Sequence, residues 1–272
     1  MESIRSLIAG SRGLFVIAAV FVGAVFASGA LAEDKEPVWA GDVSLSITNQ
    51  TGTIDTFSGS FDAKGDRKAE KDELAVRLLG VYGTSKEKGS NRNDTIQDSQ
   101  TLSGNWKHIV DDRFFWESSS SVSRDSTQSL DVRARIATGP AYRIWRNDDE
   151  AKDYFDIVAG LGYRFELFDT DTAPGDPNRG RKDKSNLADV VVGFEYKNRF
   201  FDNKVEYSHT GSAAVPANKP NSYILKSEIL IAVPFSEAWS FRTGFFIQYT
   251  ADVPDQVNST TTRTTVGLGY TF

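Results

Sequence analysis

Apolar and polar side chains alternate along most of the chain beyond its N-terminal region. The clearest example is 154–168, where one set of alternate positions is apolar: Phe155, Ile157, Ala159, Leu161, Tyr163, Phe165 and Leu167. The positions between them include Asp156, Arg164 and Glu166. Because a strand repeats every two residues, each set occupies one face. The pattern predicts a strand with one apolar and one polar face.

The same alternation recurs about twelve times, with turn segments between the repeats. The segments are 39–48, 57–63, 74–82, 95–109, a serine-rich stretch from 114, 130–145, 154–168, 188–197, 204–208, 225–233, 239–249 and 262–272. The fourth and fifth are weakly patterned, so their register stays open. In the sixth, Leu130 is expected on the apolar face with Val132. The Gly139-Pro140 pair inside this segment requires an edge, a bulge or a barrel rim.

Segment length, connection length and aromatic placement favour a membrane barrel over a soluble sandwich. About ten alternating residues cross a bilayer when tilted. Short connections near 110–113, 198–202 and 234–238 alternate with longer polar ones near 84–94, 169–185, 212–220 and 250–259. Aromatic residues gather at segment ends, as expected of interfacial girdles: Trp39, Phe114, Trp116, Tyr154, Tyr196, Phe200, Phe201, Phe235, Trp239, Tyr270 and Phe272 at the short turns, and Tyr82, Phe165, Phe168 and Tyr249 at the long loops. The sequence predicts an all-β fold over residues 33–272, a transmembrane antiparallel β-barrel of about twelve strands.

The last segment ends with the spacing Gly267-x-x-Tyr270-x-Phe272. It is similar to the C-terminal signal by which the bacterial barrel-assembly machinery recognises outer-membrane barrels. That signal usually starts with a polar residue, and Val266 departs from it. Gly267, Tyr270 and Phe272 are therefore predicted as an assembly signal, with the assembly machinery as a partner.

The N-terminal region predicts a secretory signal peptide. Arg5 and Arg12 precede an apolar run, 14–27, and Ala30 and Ala32 supply the small residues of a cleavage site before Glu33. We expect residues 1–32 to be removed and the mature chain to lie in the bacterial outer membrane, in contact with lipid and lipopolysaccharide.

Composition excludes several other classes. The chain of 272 residues has a net charge of −6, and an acidic balance argues against nucleic acid as a partner. It has no cysteine, which removes disulfides and thiolate metal sites. No cofactor or metal is expected.

Three short motifs carry a family resemblance: Trp39-Ala40-Gly41, Gly139-Pro140-Ala141-Tyr142 and the segment from Gly160 to Glu166. With them the chain resembles the YdiY-like family over roughly residues 38–272. Members are often labelled salt-induced outer-membrane proteins. They commonly carry a Gly-Asn pair after the first strand, where this chain has Asn49-Gln50-Thr51-Gly52. The resemblance implies an outer-membrane barrel and supplies no activity or catalytic residues.

Charges on the polar faces are the main functional candidates, because the apolar faces would meet lipid. The proposed lumen or solute-contacting residues are Arg133, Arg135, Arg164, Glu166, Arg242 and Arg263, of which the first three are the best candidates for contact with an anion. Such a mixed lining suits a narrow channel or solute-interacting envelope protein. The alternative is a structural or stress-related barrel, in which Asp131, Asp156 and Glu166 neutralise those arginines.

An enzyme is the third hypothesis and the least supported. The chain has two histidines, and the His-x-Ser pattern of barrel acyl hydrolases would require serine where Val110 and Gly211 stand. Adjacent Ser208 and His209 face opposite sides of a strand. The charges of the loop 169–185 are expected to neutralise one another rather than to bind phosphate or a divalent cation. The sequence predicts no catalytic site.

Overall fold

A computed structural model describes residues 39–50, 54–87, 94–147, 153–169, 182–253 and 259–272. The described chain forms β1 (Trp39–Gln50), β2 (Ile54–Lys68), β3 (Asp72–Glu87), β4 (Asp94–Ile109), β5 (Phe114–Asp125), β6 (Leu130–Arg146), β7 (Tyr154–Asp169), β8 (Lys182–Phe200), β9 (Val205–Pro216), β10 (Ile224–Pro234), β11 (Trp239–Thr250) and β12 (Thr260–Thr271). Each strand pairs with the next and β1 pairs with β12, so the sheet closes into a barrel. The predicted twelve-stranded antiparallel barrel is confirmed. The predicted signal peptide lies outside the described residues and stays a prediction.

No helix within these described ranges is long and apolar enough to span a membrane.

Outward and inward side chains differ in chemistry along every well-patterned strand. Leu161 and Ile136 point outwards with 69% and 56% of their surface exposed, whereas Arg164 and Asp189 are 0% and 1% exposed in the interior. An apolar outer wall around a charged interior inverts the arrangement of a soluble protein. It suits a barrel in lipid, where closure also leaves no edge with unpaired backbone groups.

The structure supplies the register that the sequence left open for β4 and β5. Leu102 pairs with Leu78 on β3 and with Val122 on β5, and all three face outwards. Phe115 faces inwards and is 2% exposed. Serines occupy both faces of β5, since Ser121 lines the interior cavity while Ser118 bonds Thr138 on the outer wall. Two polar faces leave no alternation to follow, which explains the weak pattern.

Three sequence predictions about side-chain direction are wrong. Leu130 does not join the outer face: the pairing of β6 with β7 shifts between Leu130 and Val132, and this irregularity turns Leu130 inwards at 2% exposure. Tyr154 and Phe168 do not belong to the aromatic girdles. Both share the inward parity of Arg164, and the Tyr154 hydroxyl donates to Glu195 at 2.7 Å inside the barrel.

The connections divide between two rims. We call the end that carries Phe272 the C-terminal rim; its fully described connections are 69–71, 110–113, 201–204 and 235–238. At the opposite end, the far rim, the fully described connections are 126–129 and 217–223, and residues 251–253 lie there as well. Trp239 and Tyr270 stack edge to face at the C-terminal rim, with ring centroids 5.1 Å apart. This position matches the girdle predicted for that end of the barrel.

Two of the sequence motifs meet on neighbouring strands. Gly139 of β6 lies against Gly160 of β7, and a Cβ on Gly139 would lie 2.5 Å from the Gly160 Cα. The ladder is interrupted here, between the pairs Thr138–Leu161 and Ala141–Val158. Pro140 falls in this gap, where its missing N–H costs no hydrogen bond. The register is the same on both sides of the interruption, so the edge, bulge or rim expected at Gly139-Pro140 is not present; two pairs of the ladder are missing instead.

The seam between β1 and β12 depends on the end of the chain. The Gly41 N–H donates to the Phe272 carbonyl at 3.1 Å, and the Phe272 N–H donates to the Gly41 carbonyl at 3.0 Å. On the inner face, Arg242 of β11 passes over Gly269 and forms an ion pair with Asp42 of β1. A side chain at residue 269 would collide with Arg242. β12 is therefore clamped between its neighbours on both sides.

Deletion of Phe272 tests whether the last residue serves closure, recognition, or both. Loss of its two backbone hydrogen bonds should lower the yield of closed barrel on refolding from urea, where no assembly machinery is present. The measurement is heat-modifiable migration on electrophoresis. Phe272→Leu keeps the backbone bonds and is the matched control. Normal refolding of the shortened chain would contradict a role of Phe272 in closure. A defect seen only in cells would mean that Phe272 serves recognition and not closure.

Candidate functional site

The barrel interior contains a cavity of about 770 Å³. Its lining reaches from Gln128 and Thr261 near the far rim to Asp153 and Arg199 near the C-terminal rim. The volume lies in the range of small-molecule sites. The cavity is the candidate site because it holds most of the charges that the outer wall excludes.

Four basic side chains from β6, β7 and β10 form what we call the basic cluster: Arg133, Arg135, Arg164 and Lys226. Arg133 is 5% exposed, and its Nε donates to Glu166 Oε1 at 2.6 Å. Arg164 donates from Nη2 to Asp189 Oδ1 at 3.2 Å and to the Ser222 carbonyl at 2.7 Å. Glu166 also lies 3.4 Å from Arg164 Nη1. Two carboxylates thus serve two of the arginines.

The other two members of the basic cluster have no such support. Among the described residues, Arg135 and Lys226 form no ion pair within 4 Å and no side-chain hydrogen bond. The Arg135 Nε and Arg133 Nη2 groups are buried without a hydrogen-bond partner in that part of the chain. A buried charge that lacks a partner is costly, so these groups call for water or an anion.

A strap of charged residues crosses the lumen. Arg77 of β3 makes a bidentate contact with Asp62 of β2, at 2.9 and 2.7 Å, and another with Glu228 of β10, at 2.8 and 2.7 Å. Around the wall, β3 and β10 are separated by β2, β1, β12 and β11. The Arg77 strap therefore spans the interior. It divides the main cavity from a space of about 40 Å³ beside β1 and β12.

A second crossing lies nearer the C-terminal rim. Lys107 of β4 reaches Glu195 of β8 at 2.9 Å and lies 3.6 Å from Asp156 of β7. Arg143 holds Asp156 by two bonds of 2.7 and 2.8 Å. The Lys107 ammonium also lies 5.6 Å from the Tyr154 ring, where a cation–π contact adds to the network. Lys197 also reaches Glu195 at 3.2 Å, and this network of paired charges narrows the interior.

A third crossing lies at the far rim, where Gln128 donates to Thr261 of β12. Asp125 fixes the short 3₁₀ turn that carries Gln128, because its Oδ1 accepts from the Thr127 N–H at 3.0 Å and the Gln128 N–H at 3.3 Å. The capping carboxylate replaces partners that the first turn lacks. This contact joins the connection between β5 and β6 to the opposite wall.

The structure separates the six predicted lumen residues. Arg133, Arg135, Arg164 and Glu166 lie together, on adjacent strands β6 and β7. Arg242 lies at the seam with Asp42, and Arg263 stacks 4.7 Å from the Phe246 ring. Asp156, expected to neutralise the cluster, instead holds Arg143. Whether the cluster contacts a solute stays a prediction.

Sequence reasoning did not select Arg77 or Lys226 as site residues. Both have the inward parity of a lumen charge, so periodicity placed them inside. Their importance comes from contacts between strands far apart in the barrel, which depend on its diameter and stagger. A strand-by-strand pattern contains no such signal.

The two histidines lie outside the cavity lining. His108 Nδ1 lies 3.0 Å from Asp72 Oδ1 near the C-terminal rim. His209 faces the outer wall, where Nε2 lies 3.0 Å from Ser227 Oγ and its ring packs against Phe194. No carboxylate or amide side chain of the described residues hydrogen-bonds His209, so this pair lacks the orienting third group of a catalytic triad. The described residues also contain no group of three or more potential metal ligands.

At the far rim, Asp252 connects two loops to the basic cluster. Lys219 and then Ser222 donate to its carboxylate, and these bonds hold the pKa of Asp252 below its ordinary value of 3.8. Ser222 donates from Oγ at 2.5 Å, while its carbonyl accepts from Arg164. Asp252 therefore supports the loop segment that holds Arg164.

A family model covers most of the chain. Residues 43–272 match the family described as "Protein of unknown function, DUF481". The chain belongs to this family. The YdiY-like resemblance of the three motifs is consistent with that membership. No curated protein matches the chain.

Several solved structures resemble this DUF481 barrel at low sequence identity. The translocator domain of the autotransporter NalP from Neisseria meningitidis has 16% identity and a TM-score of 0.48, covering 97% of this chain and 100% of that one. The COG4313 outer-membrane channel from Pseudomonas putida F1 has 10% identity and a TM-score of 0.47, with 89% and 97% covered. The KdgM porin has 12% identity and a TM-score of 0.40, with 86% and 99% covered. These are similarities of barrel architecture and carry no information about function.

Arg77→Met should lower the free energy of unfolding by about 1–3 kcal/mol, because Asp62 and Glu228 then face each other without their cation. The measurement is urea unfolding of the refolded barrel. Arg77→Met combined with Glu228→Gln should recover part of the loss, since one stranded carboxylate is neutralised. Equal stability of wild type and Arg77→Met would show that the strap is not formed in solution.

Acidification should loosen the connection 217–223. The carboxylate of Asp252 is favoured in the folded state, so its stabilisation is present above the unfolded pKa and is lost as pH falls through the folded pKa, below about 3.8. Hydrogen exchange at the Ser222 amide should accelerate there relative to the Ile109 amide at the other rim. Asp252→Asn should show weak protection already at neutral pH. An unchanged acid response in that variant would contradict the assignment.

Proposed function

We propose that this protein is a narrow passage for small anionic solutes in the bacterial outer membrane. The apolar outer wall and the closed ladder support a position in lipid, with lipopolysaccharide and phospholipid as its surroundings. The C-terminal spacing supports delivery by the barrel-assembly machinery. No partner protein is needed for transport in this proposal.

One observation carries the proposal: a continuous space follows the lumen past basic groups that no carboxylate of the described residues pairs with. Arg135 and Lys226 line the cavity, and neither has a carboxylate within ion-pair distance among the described residues. An uncompensated positive wall raises the local concentration of anions and rejects cations. The passage should therefore select by charge.

The competing function is a structural or stress-related barrel without transport. The Arg77 strap favours it, because a charged bridge across the lumen restricts the free cross-section. The matched network around Lys107 favours it as well. An enzyme has weaker support, since the one His–Ser contact lies on the outer wall without an orienting group in the described chain.

Conductance of the refolded protein in planar bilayers tests the proposal. We expect discrete steps and, under a salt gradient, a reversal potential that indicates preference for chloride over potassium. Arg135→Gln and Lys226→Met should each reduce that preference because each removes one lumenal positive charge. Lys71→Met removes a charge at the C-terminal rim, outside the cavity, and is the matched control. A folded barrel that never conducts would favour the structural function.

A further inference from the structure

We propose that the basic cluster binds one small free dianion, such as phosphate or a dicarboxylate, between Arg135 of β6 and Lys226 of β10. This deepens the proposed function by naming the chemical class that the interior takes. It rests on that function only in requiring that water-soluble solutes reach the lumen.

The charge count inside the cluster gives the ligand its valence. Four cations face two carboxylates, Glu166 and Asp189, and both carboxylates already accept from Arg133 or Arg164. When all four basic groups are protonated, two positive charges remain, on Arg135 and Lys226. A singly charged anion would leave one of them uncompensated, whereas a dianion matches both.

Nearby carboxylates do not remove this excess. Glu228 attracts the Lys226 ammonium electrostatically, but both of its carboxylate oxygens already accept hydrogen bonds from Arg77. Asp125 attracts the Arg133 guanidinium electrostatically, but the Oδ1 atom of Asp125 accepts the backbone hydrogen bonds of the 3₁₀ turn. The positive charges that act on Lys226 come from Arg135, Arg133 and Arg164. Lys226 is thus repelled by the three arginines of the cluster, and a bound anion would relieve that repulsion.

The residues paired with Lys226 and Arg135 on the neighbouring strands include no carboxylate. Lys226 is flanked on the inner face by Ser212 of β9 and Gln248 of β11. Arg135 is flanked by Ser121 of β5, with Arg164 on its other side. Neutral hydroxyl and amide groups can complete the coordination of a small oxyanion without adding charge.

Buried donors point to where the anion's oxygens would lie. Arg133 Nη2 and Arg135 Nε are buried and lack partners among the described residues, although each would donate readily to an oxyanion. Guanidinium groups present planar pairs of N–H donors that match carboxylate and phosphate oxygens. The site therefore combines two unbalanced charges with donors that protein groups leave open.

Isothermal titration calorimetry of the refolded barrel with inorganic phosphate tests the site, with malonate as the dicarboxylate probe and sodium chloride as the background salt. We expect saturable binding of one equivalent of at least one dianion. Arg135→Gln and Lys226→Met should each weaken it by roughly tenfold or more, because each removes a charged contact. Lys64→Met, which removes another lysine from the same cavity wall on β2, should leave the affinity within about twofold.

The variants need a check of folding that is independent of binding. Heat-modifiable migration should match that of the wild type, and phosphate should raise the midpoint of unfolding for wild type and Lys64→Met more than for the two cluster variants. Absence of binding by both dianions, or equal weakening by all three variants, would overturn the site. Dianion binding by a barrel that does not conduct would overturn the passage and keep the site. Anion-selective conduction without dianion binding would overturn the site and support the passage.

Discussion

Closure of an alternating sheet places most of the strand charges of this protein in one confined interior. The outer face must be apolar where lipid surrounds it, so basic and acidic side chains share the lumen at close range. In such a space charges lie within reach of strands on the opposite wall. Arg77, which joins β2, β3 and β10, follows directly from that confinement. The ion pairs are therefore consequences of the barrel as much as supports for it.

Closure itself rests on β12, which must bond to β11 and to the beginning of the chain's first strand. Gly41 and Phe272 exchange two backbone hydrogen bonds, and Arg242 bridges the inner face to Asp42. The glycine at residue 269 leaves the space that the arginine occupies. The same C-terminal residues that are predicted to be read during assembly thus complete the barrel physically. Recognition of β12 by the assembly machinery would couple insertion of the chain into the membrane to closure of the barrel.

Periodicity predicted the fold well because a strand reports its two faces locally. Alternation along the twelve segments, clearest in β7 and β8, predicted the strand count, the outward residues and the inward charges without any long-range information. It failed where local geometry changes parity, as at the irregularity that turns Leu130 inwards. It also failed where residue type suggested one direction and strand position another. Tyr154 and Phe168 are aromatic residues near strand ends, which predicted a place in the girdle, yet their side chains face the lumen. Partners such as Arg77 and Glu228 were beyond reach, because they depend on which strands closure brings opposite one another.

The distribution of matched and unmatched charges separates structure from function within a single lumen. At the C-terminal rim, Lys107, Arg143, Asp156 and Glu195 satisfy one another, and in the Arg77 strap one guanidinium bridges two carboxylates. A lumen that served only as packing would be expected to balance its charges throughout, since each unmatched buried charge lowers stability. Near the far rim it does not: Arg135 and Lys226 have no protein counter-ion within 4 Å in the described chain. Stability alone gives no reason to retain such groups, whereas a solute that arrives with its own negative charge does.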